Sequence, residues 1–408
     1  MGNGGTYTST NLYGLGSVCA SAAYGRGATG DGQLIAVLDS GISVGEGTTT
    51  DLNQINSNIA TFLTGSDVIN SDNVPQDDDN NNNTAVGSGH GSHVAGLIAN
   101  EHNNSSFGGH GIAYDATLHI IKVLDEDGAG SFAQIAAGMD LARGVSGMDI
   151  VNLSLGSSGV IGSTCDSASS CETALGSTIY TAMEALGSAS IIQVYAAGND
   201  GNSSPNTLAG AAIYDDDFKE TTVIAVAIDS TGNLASYSDK CGVAKAICIA
   251  APGSSLYSFF SSNAQSSYAV DSYAQSMSGT SQAAPLVSGG LALIKQEFSS
   301  LTPAPVIDRL LATALDTGEY SKSTIYGHGL MNLNGATAAV AKLQTINGSN
   351  LLDDPNTSYY DLAHNSFLSS AAFSNALNNA LAGHTMEVYD SFDRANFDVA
   401  VNSFFTSG

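Results

Sequence analysis

The feature that most constrains the fold is a series of short, unbroken apolar runs separated by segments of helical periodicity. The first, Leu34-Ile35-Ala36-Val37-Leu38, ends abruptly in Asp39-Ser40-Gly41. A continuous apolar run of this length reads as a strand buried on both faces, delivering a polar residue at its carboxyl edge. Further strands are predicted over Thr117–Leu124, Ile150–Leu155, Ile191–Ala197, Thr222–Ile228 and Ala246–Ala251. Helices are predicted over Phe132–Arg143, Thr173–Leu186 and Thr280–Glu297. The alternation implies an α/β protein, a three-layer α/β/α arrangement around a mostly parallel sheet. Such sheets place chemistry at the carboxyl ends of their strands, so the polar residues that end the runs are the candidates.

Three regions follow from the change in texture along the chain. Residues 1–32 are rich in Gly, Ser and Tyr with little periodicity and read as an N-terminal arm. Residues 33–345 carry the alternating pattern, and 346–408 form a C-terminal appendage with short aromatic stretches such as Met386-Glu387-Val388-Tyr389. The segment from Asp77 to Asn83 reads as a solvated acidic loop; its oxygens could hold Ca²⁺, although the spacing matches no EF-hand.

The formal net charge is −27, which repels nucleic acid and anionic membrane surfaces and removes both as partners. No stretch approaches the roughly 20 apolar residues that a membrane-spanning helix needs. Of the five cysteines, Cys165 with Cys171 and Cys241 with Cys248 lie close in sequence. Two local disulfides are the better reading, and they imply an oxidising compartment. Cys19 is left over, and a Cys-only zinc site is disfavoured because no C-x-x-C pair occurs.

Four motifs end strands or open helices: Val37-Leu38-Asp39-Ser40-Gly41, Gly89-His90-Gly91-Ser92-His93-Val94-Ala95-Gly96, Ala196-Ala197-Gly198-Asn199 and Ser278-Gly279-Thr280-Ser281-Gln282-Ala283-Ala284-Pro285. Together they supply a carboxylate, an imidazole, an amide and a hydroxyl. Acyl transfer from a peptide bond needs this set. A serine must lose its proton to a base, a carboxylate must orient that base, and donors must wait for the oxyanion. Taken singly, each residue has a plainer reading. A strand-end Asp is usually a turn residue, Ser281 is one of many serines, and His90 with His93 could ligate a metal.

The four motifs, in the order Asp, His, Asn, Ser, resemble the subtilisin-like (S8) serine peptidases over about residues 30–340. Carried over motif by motif, the resemblance implies that Asp39 orients, His90 is the base, Ser281 attacks and Asn199 holds the oxyanion. It implies a secreted serine endopeptidase acting on protein or peptide substrates, with no cofactor required for chemistry and structural Ca²⁺ in places. The segment Gly128-Ala129-Gly130 resembles one backbone edge that grips substrate, and Ser154-Leu155-Gly156 the opposing edge. The walls of the P1 pocket would then be Ser154–Gly156 and Ala196, Ala197 and Gly198. Asp125, Glu126, Asp127 and Asp200 either favour Lys or Arg near the scissile bond or form a solvated acidic rim.

A second resemblance is to subtilases carried as autotransporter passengers by Gram-negative bacteria. It rests on Ser238–Val243, Cys248–Gly253, Tyr326–Leu333, Phe373–Leu377 and Tyr389–Arg394. It implies location outside the cell or on the bacterial surface, and a C-terminal outer-membrane barrel that this chain does not contain. If the protein is secreted, its signal has been removed; the sequence does not say whether a propeptide precedes Met1. Neither resemblance specifies metal ligands or an oligomeric state. A catalytically silent adhesin on the same scaffold is the alternative from another class.

Overall fold

The computed structural model describes residues 13–42, 58–77, 89–101, 109–259 and 274–340, together with short strands beyond them. Six strands build the central sheet: β1 (Leu34–Asp39), β2 (Thr117–Lys122), β3 (Ile150–Leu153), β4 (Ile192–Ala196), β5 (Thr222–Ile228) and β6 (Cys248–Pro252). Their spatial order is β2-β1-β3-β4-β5-β6, and every neighbouring pair is parallel. β3, β4, β5 and β6 are buried at every residue, as their unbroken apolar runs require when helices cover both faces.

The chain leaves β1 for β2 on one side and then returns to β3 on the other. Right-handed crossovers therefore put the two sets of helices on opposite faces. His90–Ala99 and Thr280–Glu297 pack together on one face, and Phe132–Arg143 and Ser177–Ser188 on the other. The reversal opens a crevice between the carboxyl ends of β1 and β3, where such sheets hold ligands. Asp39 ends β1 there and Ser154 follows β3. The Thr280–Glu297 helix is the central pillar. Leu286, Val287, Leu291, Leu293 and Ile294 are all at most 2% exposed, each contributing about 1.5–3 kcal/mol by burial.

Several expectations hold to the residue and others shift for local reasons. Phe132–Arg143 is one helix, opened by a capping box between Ser131 and Gln134. The helix expected over Thr173–Leu186 is two, Ala168–Leu175 and Ser177–Ser188, because Gly176 takes φ +90° and breaks the ladder. The strand expected from Ala246 begins at Cys248, after a 3₁₀ turn over Gly242–Ile247. The N-terminal arm contains two short helices, Tyr13–Ser17 and Ala20–Tyr24.

The chain divides into two compact units, Met1–Glu297 with Thr302–Thr337, and Phe298–Leu301 with Ala338–Gly408. A hairpin in the first, β7 (Leu256–Phe259) with β8 (Ala274–Met277), leads into the Ser281 segment. In the second, β9 (Leu343–Ile346), β10 (Tyr359–Asp361), β12 (Thr385–Asp390) and β13 (Asn396–Ala400) form an antiparallel sheet ordered β10-β9-β12-β13. β11 (Phe367–Ser369) pairs in parallel with β14 (Phe405–Ser407).

Cys165–Cys171 and Cys241–Cys248 are both disulfide-bonded, and Cys19 is a free, exposed thiol. A loop closed over a sequence separation of 6 restricts the unfolded chain by about 2 kcal/mol in the chain-entropy treatment. Replacing Cys165 and Cys171 together by Ser should therefore lower the thermal unfolding midpoint by about 3 °C. Calorimetry checks this, and fluorophosphonate labelling of the folded variant should be unchanged.

Candidate active site

The His90 helix starts against the end of β1, and its backbone is held there by side chains. Gly91 N–H donates to Ser40 Oγ at 2.9 Å, and Ser92 N–H to Asp77 Oδ2 at 3.3 Å. Two of the unpartnered donors of the first turn are thereby satisfied. Asp77 is 1% exposed and also accepts from the hydroxyls of Ser40 (2.9 Å) and Ser92 (2.8 Å). This corrects the solvated-loop expectation at Asp77, which is an internal cap for the His90 helix; residues 78–83 lie outside the described residues. Gly91 permits the approach: a Cβ there would stand 2.2 Å from Gly41 O.

The imidazole lies where the motif requires. His90 Nδ1 is 2.7 Å from Asp39 Oδ1, with Asp39 fully buried and the His90 side chain 18% exposed. Asp39 Oδ1 also accepts from Ser40 N–H at 2.8 Å, which helps to fix the carboxylate plane. Lys122, 1% exposed, donates from Nζ to Ser40 O at 2.7 Å, so its head group lies under the end of β1. Burial alone would depress the His90 pKa. The charge and hydrogen bond of Asp39, with the charge of Asp77, outweigh it and leave the pKa above its ordinary value of 6.5. Burial raises the Asp77 pKa to about 6, against the pull of its Ser92 and Ser40 hydrogen bonds and Lys122.

Ser281 is the second residue of its helix, so its backbone N–H has no intrahelical partner. Four residues on, Pro285 has no N–H to offer the Ser281 carbonyl. That carbonyl accepts instead from Ser154 Oγ at 2.8 Å. Ser154 Oγ in turn accepts from Asn152 Nδ2 at 3.0 Å, and Asn152 Oδ1 accepts from Ser288 Oγ at 2.8 Å. The serine's own hydroxyl donates to Ser154 O at 3.2 Å and makes no hydrogen bond with His90. Such nucleophile–base contacts are often long without substrate and tighten in the Michaelis complex.

Asn199 is oriented by its oxygen. Oδ1 accepts from Thr280 N–H at 2.8 Å and Thr280 Oγ1 at 3.0 Å, which turns Nδ2 outward. Asn199 Nδ2 and Ser281 N lie 3.5 and 3.6 Å from the point that a Gly279 Cβ would occupy. Both donors lie near this point, with Gln282 Oε1 closer still at 2.8 Å. Neighbouring N–H donors of this kind can stabilise a developing oxyanion.

Asp39, His90 and Ser281 line a single cleft. Leu124, Asp127, Gly128, Ala129 and Gly130 form one side of it, and Ser154, Leu155 and Gly156 the other. Asp125 Oδ1 accepts from Asp127 N–H and Ala129 N–H, at 3.0 and 2.9 Å, and so shapes this turn from within. Ala196 and Ala197 are buried at the end of β4, with Gly198 half-buried after them. The sequence reading missed Asn206, which bonds both Ser157 and the Ala196–Ala197 backbone. Its single-letter context, Pro205-Asn206-Thr207, marks only a helix cap. His93 turns away from His90 and meets Leu256 O through Nε2 at 3.0 Å, so the two histidines do not form a metal pair.

Among the described residues the acidic groups that converge are Glu184, Asp215 and Asp217. Asp215 already accepts from Tyr180 Oη at 2.8 Å and Asp217 N–H at 3.0 Å. No step of the chemistry below uses a metal.

A profile of the Subtilase family matches residues 30–329. The chain belongs to the subtilase family. It is 33% identical to Subtilisin DY of Bacillus licheniformis over 326 residues, covering 79% of this chain and 97% of that protein. It is 35% identical to Subtilisin Savinase of Lederbergia lenta over 325 residues, covering 80% and 98% of the two chains. With Subtilisin E of Bacillus subtilis (strain 168) the identity is 33% over 331 residues, covering 81% and 72%. Members of this family are serine endopeptidases that need no cofactor for catalysis, and this subtilase is one.

The electrostatics give a signed expectation. His90 acts as a base only when neutral, so kcat/KM should rise with pH through a midpoint above 6.5. Asp77 titrates nearby at about 6, and losing its charge weakens the pull on the imidazolium, so the acid limb should be shallower than a one-proton curve. Asp77→Asn removes a negative charge that favours the imidazolium. It should move the midpoint to lower pH and sharpen the limb to the one-proton slope, as read from pH–rate profiles.

Proposed function

We propose that Ser281 forms the acyl-enzyme, with His90 as its base, Asp39 as the orienting carboxylate, and Asn199 Nδ2 with Ser281 N–H as the oxyanion donors. The observation that carries the reading is the 2.7 Å contact between His90 Nδ1 and the buried Asp39, in one cleft with Ser281. As substrate enters, the Ser281 hydroxyl exchanges its bond to Ser154 O for one to His90 Nε2. The oxygen attacks the scissile carbonyl carbon as its proton passes to the imidazole, and the negative charge falls on the carbonyl oxygen. The imidazolium then protonates the leaving amine, and the carbon–nitrogen bond breaks. Water, deprotonated by the same imidazole, hydrolyses the ester and returns Ser281.

Substrate lies extended between Gly128–Gly130 and Ser154–Gly156, adding a strand by backbone hydrogen bonds. The side chain before the scissile bond enters between Ser154–Gly156 and Ala196–Gly198. Of the acids named from sequence, Asp127 lines the cleft and is the one placed to attract a cationic substrate side chain. Secretion accords with the two disulfides and with the secreted subtilisins. Among the described residues no helix is long and apolar enough to cross a membrane. The segments Phe373–Leu377 and Tyr389–Arg394 support export as an autotransporter passenger, displayed by an outer-membrane barrel on a longer chain.

The test is cleavage of unfolded casein and fluorophosphonate labelling by wild type and Ser281→Ala. Both activities should be present in wild type and absent from the variant; cleavage surviving in Ser281→Ala would overturn the assignment. Asn199→Ala should lower kcat by about 10²–10³ with KM little changed, a magnitude carried over from subtilisins. Steady-state kinetics on a soluble peptide separates the two constants.

A further inference from the structure

The pairing of β4 with β5 ends at Ala196↔Ala225, and the chain then turns through Gly198, Asn199, Asp200, Gly201 and Asn202. This turn is tied to the segment 237–240. Gly201 N–H donates to Tyr237 O at 2.8 Å, and Lys240 N–H to Asn202 O at 3.0 Å. Between those ties one residue, Asp239, grips the backbone on either side of Asn199. Its N–H donates to Gly198 O at 2.9 Å. Its Oδ1 accepts from Asp200 N–H at 3.2 Å and from Asn202 N–H at 2.6 Å, and its Oδ2 from Asn202 Nδ2 at 3.4 Å. Asp239 is fully buried, so these bonds act where water does not compete. Gly198 makes the approach possible: its φ is +122°, and a Cβ there would stand 2.3 Å from Asp239 Oδ2.

Two rigid peptide planes meet at the Asn199 Cα. The Gly198 carbonyl belongs to the plane before it, and the Asp200 N–H to the plane after it. Asp239 bonds both, one through its backbone and the other through its carboxylate. It thereby fixes φ and ψ of Asn199, and with them the direction in which that side chain leaves the backbone. The Thr280 bonds hold only the far end of the same side chain, at Asn199 Oδ1. We infer that Asp239 is a positioning residue for the chemistry, setting the place at which Asn199 Nδ2 meets the developing oxyanion. The inference rests on the proposed oxyanion role of Asn199. Asp239 acts through Asn199 and not on the substrate, so its contribution falls on kcat and vanishes when the Asn199 amide is removed.

The experiment is steady-state kinetics of the whole protein on one soluble peptide p-nitroanilide, arranged as a double-mutant cycle. Asn199→Ala alone should lower kcat by about 10²–10³. Asp239→Ala should lower kcat by about 10–10² with KM within about twofold, since displacing an active-site group by about 1 Å can cost about 10²-fold. Asp239→Asn keeps an oxygen for the Asp200 and Asn202 N–H groups and should restore kcat to within about threefold of wild type. In the Asn199→Ala background, Asp239→Ala should change kcat by less than about twofold. Equal losses in the two backgrounds would mean a structural role that bypasses Asn199 and would overturn the inference. An unchanged kcat in Asp239→Ala beside a slow Asn199→Ala would also overturn it, leaving the oxyanion reading intact. An unchanged kcat in Asn199→Ala would sink that reading first, and the inference with it. Fluorophosphonate labelling to completion shows that each variant is folded. If Asp239→Ala does not fold, Asp239→Ser, too short to hold both N–H groups, takes its place in the cycle.

Discussion

The site depends on a carbonyl that its own helix cannot satisfy. Pro285 removes the N–H that would have bonded Ser281 O, and a buried unpartnered carbonyl costs about 1–3 kcal/mol. Ser154 Oγ supplies the missing donor from the end of β3 at 2.8 Å. One bond therefore both completes the helix and fixes the nucleophile's residue to the opposite side of the cleft. Asn152 and Ser288 extend it into the core, where both are fully buried. Because Ser288 lies two turns further along the same helix, the network closes on itself. The nucleophile is held by a loop of bonds rather than by a single contact.

A comparable economy governs the base. The His90 helix begins without a capping side chain at Gly89, and the cap comes from Ser40 and Asp77, remote in sequence. Asp77, Asp39 and Lys122 thus gather charge in a region nearly closed to water. Their fields act at low effective dielectric, unlike the many acids on the surface of this −27 chain. The surface charge governs solubility and approach; the buried Asp39 and Asp77 favour the protonated form of His90.

The fold was legible because its strands are buried on both faces, and so each appears as an uninterrupted apolar run. The residues ending those runs, Asp39 above all, were legible for the same reason. Helix boundaries were legible where caps are local, as at Ser131, and less so where one glycine conformation splits a helix, as at Gly176. What sequence could not express was the use of a side chain by distant backbone. Asp77 looks like the start of an acidic loop and is a buried cap; Asn206 looks like a helix cap and also joins two strand ends. Neither role leaves a periodicity, because each depends on which carbonyls and amides three-dimensional packing leaves without partners. The contact between His90 and Asp39 was readable only because both lie in motifs.

The helices bearing His90 and Ser281 lie together on one side of the sheet. The opposite side carries Phe132–Arg143, Ser177–Ser188 and the Cys165–Cys171 bridge, whose buried residues pack in one cluster with Met139 and Met183. The helices that carry His90 and Ser281 and this cross-linked helix layer therefore lie on opposite faces, with Ile135 of the latter reaching the cleft. A lineage can rework the cross-linked half to survive a harsher medium, exchanging bridges and repacking helices, while the reacting atoms keep their spacing.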